Sequence, residues 1–162
     1  MSAAFQALGR IPAEFIVFFI ATLPVSELRG AIPYALAIGL SWQKAYIISV
    51  AGNFLPVIPI LLFLGRVSEA LSNRYSFFDR FFTWLFERTR SKSELIERFE
   101  ALGLIFFVAI PLPVTGAWTG CAAAFIFRIP LRHAIPAIIA GIFISGTVVT
   151  LASLGVISFW GI

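Results

Sequence analysis

The sequence predicts an all-α integral membrane protein. Each half is a re-entrant helical hairpin followed by a transmembrane helix, the two halves form an inverted repeat, and a cytoplasmic amphipathic linker joins them. Three observations predict this. Of 162 residues, 60% are hydrophobic and 12% charged, against about 25% charged in soluble domains; so few polar groups cannot cover a water-facing surface. The two halves resemble each other at a nearly constant offset. Basic residues collect on one side of the layout this repeat implies.

The repeat is carried by Leu23-Pro24-Val25-Ser26 and Leu112-Pro113-Val114-Thr115, an offset of 89 (112 − 23). The same offset pairs Ile16 with Ile105, Phe18 with Phe107, Ala51-Gly52 with Ala140-Gly141 and Phe54 with Phe143. One inserted residue then pairs Gly30 with Gly120 and Leu64-Gly65 with Leu154-Gly155. Transporters are commonly built from such repeats. We divide the single membrane domain, 1–162, into repeat 1 (12–65), linker (66–100) and repeat 2 (101–160).

The first apolar run, Phe15–Val25, follows Arg10, Pro12 and Glu14 and meets no small-x-small cleavage site, so it is expected to be kept. Phe15–Ser26 and Gly30–Gln43 hold 12 and 14 residues, both short of the roughly 17 needed to cross a bilayer. Pro24, Gly30 and Pro33 surround a polar tip containing Glu27 and Arg29, so the pair is expected to be a hairpin that enters and leaves on one side. Ala45–Gly65 follows as a span of 21 uncharged residues, kinked at Pro56 and Pro59. Ala101–Phe127 is 27 residues without charge, but Pro111, Pro113, Gly116 and Gly120 cluster at its centre, where a lipid-facing helix would lose backbone hydrogen bonds. It is expected to form the second hairpin. Ala134–Trp160 is the second span, with Pro136 in its opening turn.

One hairpin and one span per repeat make an odd number of crossings, so the second repeat is inverted. Nine basic residues then share the linker side: Arg66, Arg74, Arg80, Arg88, Arg90, Lys92, Arg98, Arg128 and Arg132. Arg10 and Lys44 face the other. Positive residues stay inside, which puts the protein in the cell membrane with linker 66–100 cytoplasmic and both termini outside. Within the linker, Phe77, Phe78, Phe81, Phe82 and Leu85 recur at helical spacing as an interfacial helix would. A second short helix is expected over Ser93–Ala101.

"SELRGAIPYALAIG", "GNFLPVIPI" and "PLPVTGAWTG" together resemble the small multidrug export protein family of prokaryotic membrane proteins, over most of residues 15–160. Paired re-entrant hairpins also resemble the wider DedA superfamily of lipid transporters. The first resemblance implies drug efflux. The second implies a lipid-carrier substrate, an acidic residue in the first half, which Glu27 fits, and arginines near the second hairpin, which Arg128 and Arg132 fit.

Hairpin tips at mid-bilayer must face protein or water, because unpaired backbone groups cost several kcal/mol each there, and polar groups at that depth tend to be functional. Ser26 and Thr115 occupy matching positions from which either could cap the following half-helix. Two half-helix N-termini with Arg29 would favour an anion, and Glu27 is the natural titrating group. The expected transport site is Glu27, Arg29, Ser26, Thr115, Trp118, Thr119 and Asn53, with Arg128 and Arg132 collecting phosphate at the interface. Structural alternatives stand beside six of these: an ion pair for Glu27 and Arg29, packing against the opposite hairpin for Trp118, an inter-helix hydrogen bond for Asn53, membrane anchors for Arg128 and Arg132.

We therefore expect a translocase of an amphipathic anionic substrate such as a polyprenyl-phosphate carrier, moved by alternating access between the hairpins. The alternative is a proton-coupled exporter of small lipophilic cations that uses Glu27. Cys121 and His133 are single copies, so no disulfide and no metal cage of the usual kinds is expected. With no nucleophile–base motif or cofactor fingerprint, no enzyme and no cofactor are expected. The net charge of +4 points to topology and anionic headgroups rather than nucleic acid. Membrane lipids and a second copy are the expected partners, the small residues Ala122–Ala124 or Gly141–Ser145 offering close-packing surfaces for a homodimer.

Overall fold

The computed structural model describes residues 12–64, 94–112 and 115–160, and its regular structure is helical throughout. The helices are α1 (Ala13–Thr22), α2 (Glu27–Ala37), α3 (Trp42–Phe54), α4 (Glu94–Ala109), α5 (Ala117–Ile126) and α6 (Leu131–Trp160). Two rods are long and apolar enough to cross a membrane, Trp42–Leu64 with 23 residues and Leu131–Phe159 with 29, about 35 and 43 Å at 1.5 Å per residue. The first is α3 continued, after a turn at 55–56, by helix over 57–64. Pro56 and Pro59 interrupt it because neither has an N–H to donate to the carbonyls of Gly52 and Leu55. Ala13–Thr22, Glu100–Ala109 and Ala117–Ile126 are shorter apolar helices, each about 15 Å long.

The turn between α1 and α2 lies at 23–26, earlier than the polar tip expected around Glu27 and Arg29. Leu23 is extended, as a residue before proline prefers, and Pro24 cannot continue the α1 hydrogen-bond ladder. Glu27 and Arg29 therefore occupy the first turn of α2, which carries Pro33 in its interior. The 27-residue run 101–127 is broken where proline and glycine cluster, between Ala109 and Ala117. The separate helix expected over Ser93–Ala101 does not form: α4 runs unbroken from Glu94. α6 begins at Leu131, directly after Pro130, so Pro136 sits inside the helix. Most of the linker, including Phe77, Phe78, Phe81, Phe82 and Leu85, lies outside the described residues, as do Arg10 and Pro113.

α1 packs on α2 and α3, α4 on α5 and α6, and the two sets meet through α2–α6 and α3–α6 contacts. The rods run antiparallel. Tyr46 near the start of α3 donates its hydroxyl to the Phe143 carbonyl at 3.1 Å, Trp42 shares a groove with Leu154, and Leu61 shares one with Leu131 at the opposite end. Each pair of short helices returns to the level at which it starts. Lys44 Nζ, just past α2, lies 3.6 Å from Glu14 Oε1 at the start of α1, and Glu100 lines a groove with Phe127 and Ile129 of the α5–α6 turn.

Two glycines set the closest approaches. A Cβ on Gly52 of α3 would lie 2.5 Å from the Phe18 carbonyl oxygen and 2.9 Å from the Ala21 Cβ. A Cβ on Gly141 of α6 would lie 2.6 Å from the Val108 Cβ and 3.1 Å from the Ile105 carbonyl oxygen. In both cases the glycine meets a carbonyl and the side chain three residues on. Gly141 and Ser145 face inward, as Ala124 does, so these members of the proposed dimer surfaces are used for packing within the chain.

The main core gathers Leu28, Ile32, Val57, Val108, Cys121, Ile138 and Ile142, and a smaller alanine-rich cluster joins α1, α2 and the start of α3.

Candidate functional site

The two helix turns meet at Glu27. Its side chain is buried, with 5% of its surface exposed, and its carboxylate crosses to the N-terminus of α5. There the Ala117 N–H donates to Oε2 and the Trp118 N–H to Oε1, each at 3.4 Å. These are amides that a helix leaves without internal partners, and the helix dipole adds a partial positive charge of about half a unit. Glu27 also opens α2, so its charge lies at the positive end of two helices. Its backbone is left-handed, with φ 44°, a conformation costing about 1–3 kcal/mol outside glycine. The buried contacts of the carboxylate offset that cost.

Gly116 makes the contact possible. Its φ of 154° suits glycine, and a Cβ there would overlap the Glu27 carboxylate. Trp118 closes the site from the other side, its Nε1 donating to the Thr22 carbonyl at the end of α1 at 3.1 Å. One turn along α5, the Cys121 thiol donates to the Val57 carbonyl at 3.8 Å, just beyond the proline break in the first rod. Gly120 brings α5 against α4, since a Cβ there would lie 2.5 Å from Val108 Cγ2.

The expected site residues separate into those brought together and those kept apart. Glu27, Trp118 and Gly116 meet. Asn53 is 1% exposed, with no partner for Oδ1. It lies at the depth of Glu27, because α2 and α3 run antiparallel from the short loop 38–41. Counted outward from that loop, Ala35 stands level with Ala45, Ala31 with Ser49, and Glu27 with Asn53. Ser26 makes no side-chain cap. The residue capping α5 is Gly116, while the Thr115 Oγ1 accepts from the Leu112 N–H at 3.1 Å and donates to the Ile110 carbonyl at 2.5 Å, and so ties the turn to itself. Thr119 is exposed and bonds back to the Gly116 carbonyl at 3.3 Å. Arg29 is half-buried in the turn that carries Glu27, yet among the described residues no ion pair within 4 Å joins the two, so the structural ion pair weighed from the sequence does not form. Arg128 and Arg132 are exposed at the far end of α5, about 15 Å from the Glu27 contact.

Sequence reasoning expected unpaired N–H groups at a half-helix N-terminus, but not which amides, those of Ala117 and Trp118, would meet Glu27, nor the Thr22 carbonyl, nor Ser49. The first three are backbone groups and leave no trace in side-chain identity. Ser49 was detectable as a polar residue one turn before Asn53 on a span. Its hydroxyl is fully buried and without a partner. Among the described residues no group of acidic, cysteine and histidine side chains could hold a metal ion.

No curated protein and no solved structure matches the chain. One family model does, described as "Putative small multi-drug export protein", over residues 27–148. That match begins at the buried glutamate, takes in the first rod and the turn before α5, and runs into the second rod, and the chain belongs to this family of membrane export proteins.

Proposed function

We propose that the protein exports small lipophilic cations in exchange for protons, with Glu27 as the exchange site. The observation that carries this reading is the buried carboxylate of Glu27 at the meeting point of the two helix turns. Burial favours its neutral form, while two helix ends and two amide donors favour the charged one. A group held between such opposed effects can change protonation as its surroundings change. When charged, it offers a desolvated counter-ion to a cation entering from the core. When protonated, it releases that cation.

The short helix pairs act in this reading as re-entrant hairpins, inserted from opposite faces of the membrane and related as an inverted repeat. Support comes from the antiparallel rods, from the return of each pair to its starting level, and from the matching approaches of Gly52 and Gly141. Alternating access is the opening of one tip from the other at the Glu27 contact. With the linker and Arg128 in the cytoplasm, the mouth of the α1–α2 pair faces outside.

A second reading, translocation of a phosphate-bearing lipid carrier as in the DedA superfamily, draws on the same amides. A phosphate would take the place of the carboxylate at Ala117 and Trp118, with Arg29 nearby. The protein's own carboxylate already fills that position, and the family description points to drug export, so we place it second.

The test is efflux of tetraphenylphosphonium from proteoliposomes driven by a pH gradient. Wild-type protein is expected to move the cation and Glu27→Gln to lower the rate at least tenfold while remaining folded. Equal rates in the two proteins would remove Glu27 from the mechanism. Scrambling of a labelled polyprenyl phosphate without cation efflux would favour the second reading.

A further inference from the structure

Among the described residues two buried side-chain oxygens have no partner: Ser49 Oγ and Asn53 Oδ1, on residues 0% and 1% exposed. They lie one turn apart on the same face of α3. Buried polar atoms are almost always satisfied, and one that is not calls for a bound group. Helical hydroxyls usually have an easy outlet in the carbonyl four residues back. Thr147, Thr150 and Ser153 on α6 all use it, at 2.9, 2.7 and 2.7 Å. Ser49 does not. Just beyond them the hydrogen-bond ladder of α3 is broken, because Pro56 has no N–H for the Gly52 carbonyl. Glu27 stands at the depth of Asn53 from the facing helix α2.

We propose that Ser49 Oγ and Asn53 Oδ1 contribute to a binding site for a small alkali cation, sodium above all, within the membrane interior. Both donors are hard, uncharged oxygens, the ligand type that such ions take, and transporters hold sodium beside helices broken as α3 is at Pro56. Neither donor carries a charge, which suits a singly charged ion better than a divalent one, whose sites are rich in carboxylates. The absence of thiolate or imidazole among these donors excludes softer metals. The site does not depend on what the protein exports, so it stands or falls apart from the exchange role of Glu27.

Full-length protein in detergent is melted, with tryptophan fluorescence as the readout, in sodium, potassium or choline chloride at equal ionic strength. Sodium is expected to raise Tm saturably, by about 2–4 °C over choline. Ser49→Ala and Asn53→Ala should each weaken the apparent sodium affinity at least tenfold, while Ser153→Ala on α6 leaves it unchanged. Asn53→Asp keeps the shape of the side chain and adds a charge, so it should bind sodium at least as tightly even if the alanine variants fold poorly. Identical melting of the wild type in sodium and choline overturns the site. So does a response to potassium alone, or a sodium response of wild-type strength in both alanine variants.

Discussion

The contact between Glu27 and α5 depends on two residues that must be as small and as charged as they are. Glu27 was legible in the sequence because a carboxylate in an apolar run is costly and needs a reason. Gly116 was legible only as a helix breaker. Its second role, making room for a side chain 89 positions away, arises from a long-range contact that no local pattern encodes. This gives a sharp test. In Gly116→Ala a methyl group would overlap the Glu27 carboxylate, and the φ of 154° would also disfavour the new residue. The expected loss is about 2–4 kcal/mol of stability, seen as a lower melting temperature in detergent and a smaller monodisperse fraction. The double variant Gly116→Ala/Glu27→Ala removes the overlap and should recover part of the loss. Equal melting of Gly116→Ala and wild type would mean that the carboxylate does not sit against Gly116.

Among the elements, what the sequence made readable was where helices cannot continue. Pro24 ends α1, the Pro111–Gly116 region separates α4 from α5, and Pro56 with Pro59 breaks the first rod. Proline and glycine act locally, so these breaks needed no knowledge of the fold. Capping was misjudged, because Ser26 makes no side-chain cap, Thr115 bonds within its own turn, and the positive end of α5 is taken by a distant side chain. The repeat also proved looser than its 89-residue offset. Gly52 meets Phe18 and Ala21, and Gly141 meets Ile105 and Val108, so the first helix of each half pairs at an offset of 87 (105 − 18 and 108 − 21). Sequence matching follows residue identity, whereas packing follows the helix face, and the two differ by two residues. The shared geometry predicts matched behaviour. Gly52→Ala and Gly141→Ala should each cost about 1–3 kcal/mol, since the neighbours are backbone or the stiff end of a side chain. Gly155→Ala, with nothing within 4 Å, should be neutral or raise stability by about 0.5–1 kcal/mol through better helix propensity. Thermal melts of the three variants in one detergent give the comparison; a cost at Gly155 equal to that at Gly52 would show that helix approach is not what these glycines provide.

For the whole molecule, the arrangement turns on which ends share a side. Glu14 and Lys44 are close, as are Glu100 and the α5–α6 turn, while the antiparallel rods separate the two groups by the length of a span. In the layout expected from the sequence, nine basic residues fall with the second group and two with the first, an asymmetry from which we propose a cytoplasmic second group. Cysteine labelling in intact cells tests this directly. The native thiol of Cys121 is fully buried, so Cys121→Ala gives a silent background without disturbing the surface. In it, Glu14→Cys and Lys44→Cys are both expected to react with a membrane-impermeant maleimide from outside, and Glu100→Cys and Arg128→Cys only after permeabilisation. The pairing within each group matters more than the absolute side. Glu14 and Lys44 flank α1 and α2, which together hold enough residues to cross once as a bent helix, and one crossing would put them on opposite faces. Two helices of about 15 Å that go in and come back put them on the same face. Opposite labelling of Glu14→Cys and Lys44→Cys would therefore remove the re-entrant arrangement, and with it the idea that Glu27 is reached alternately from two sides. Same-face labelling with both groups reversed would keep the architecture and overturn only the charge-based orientation.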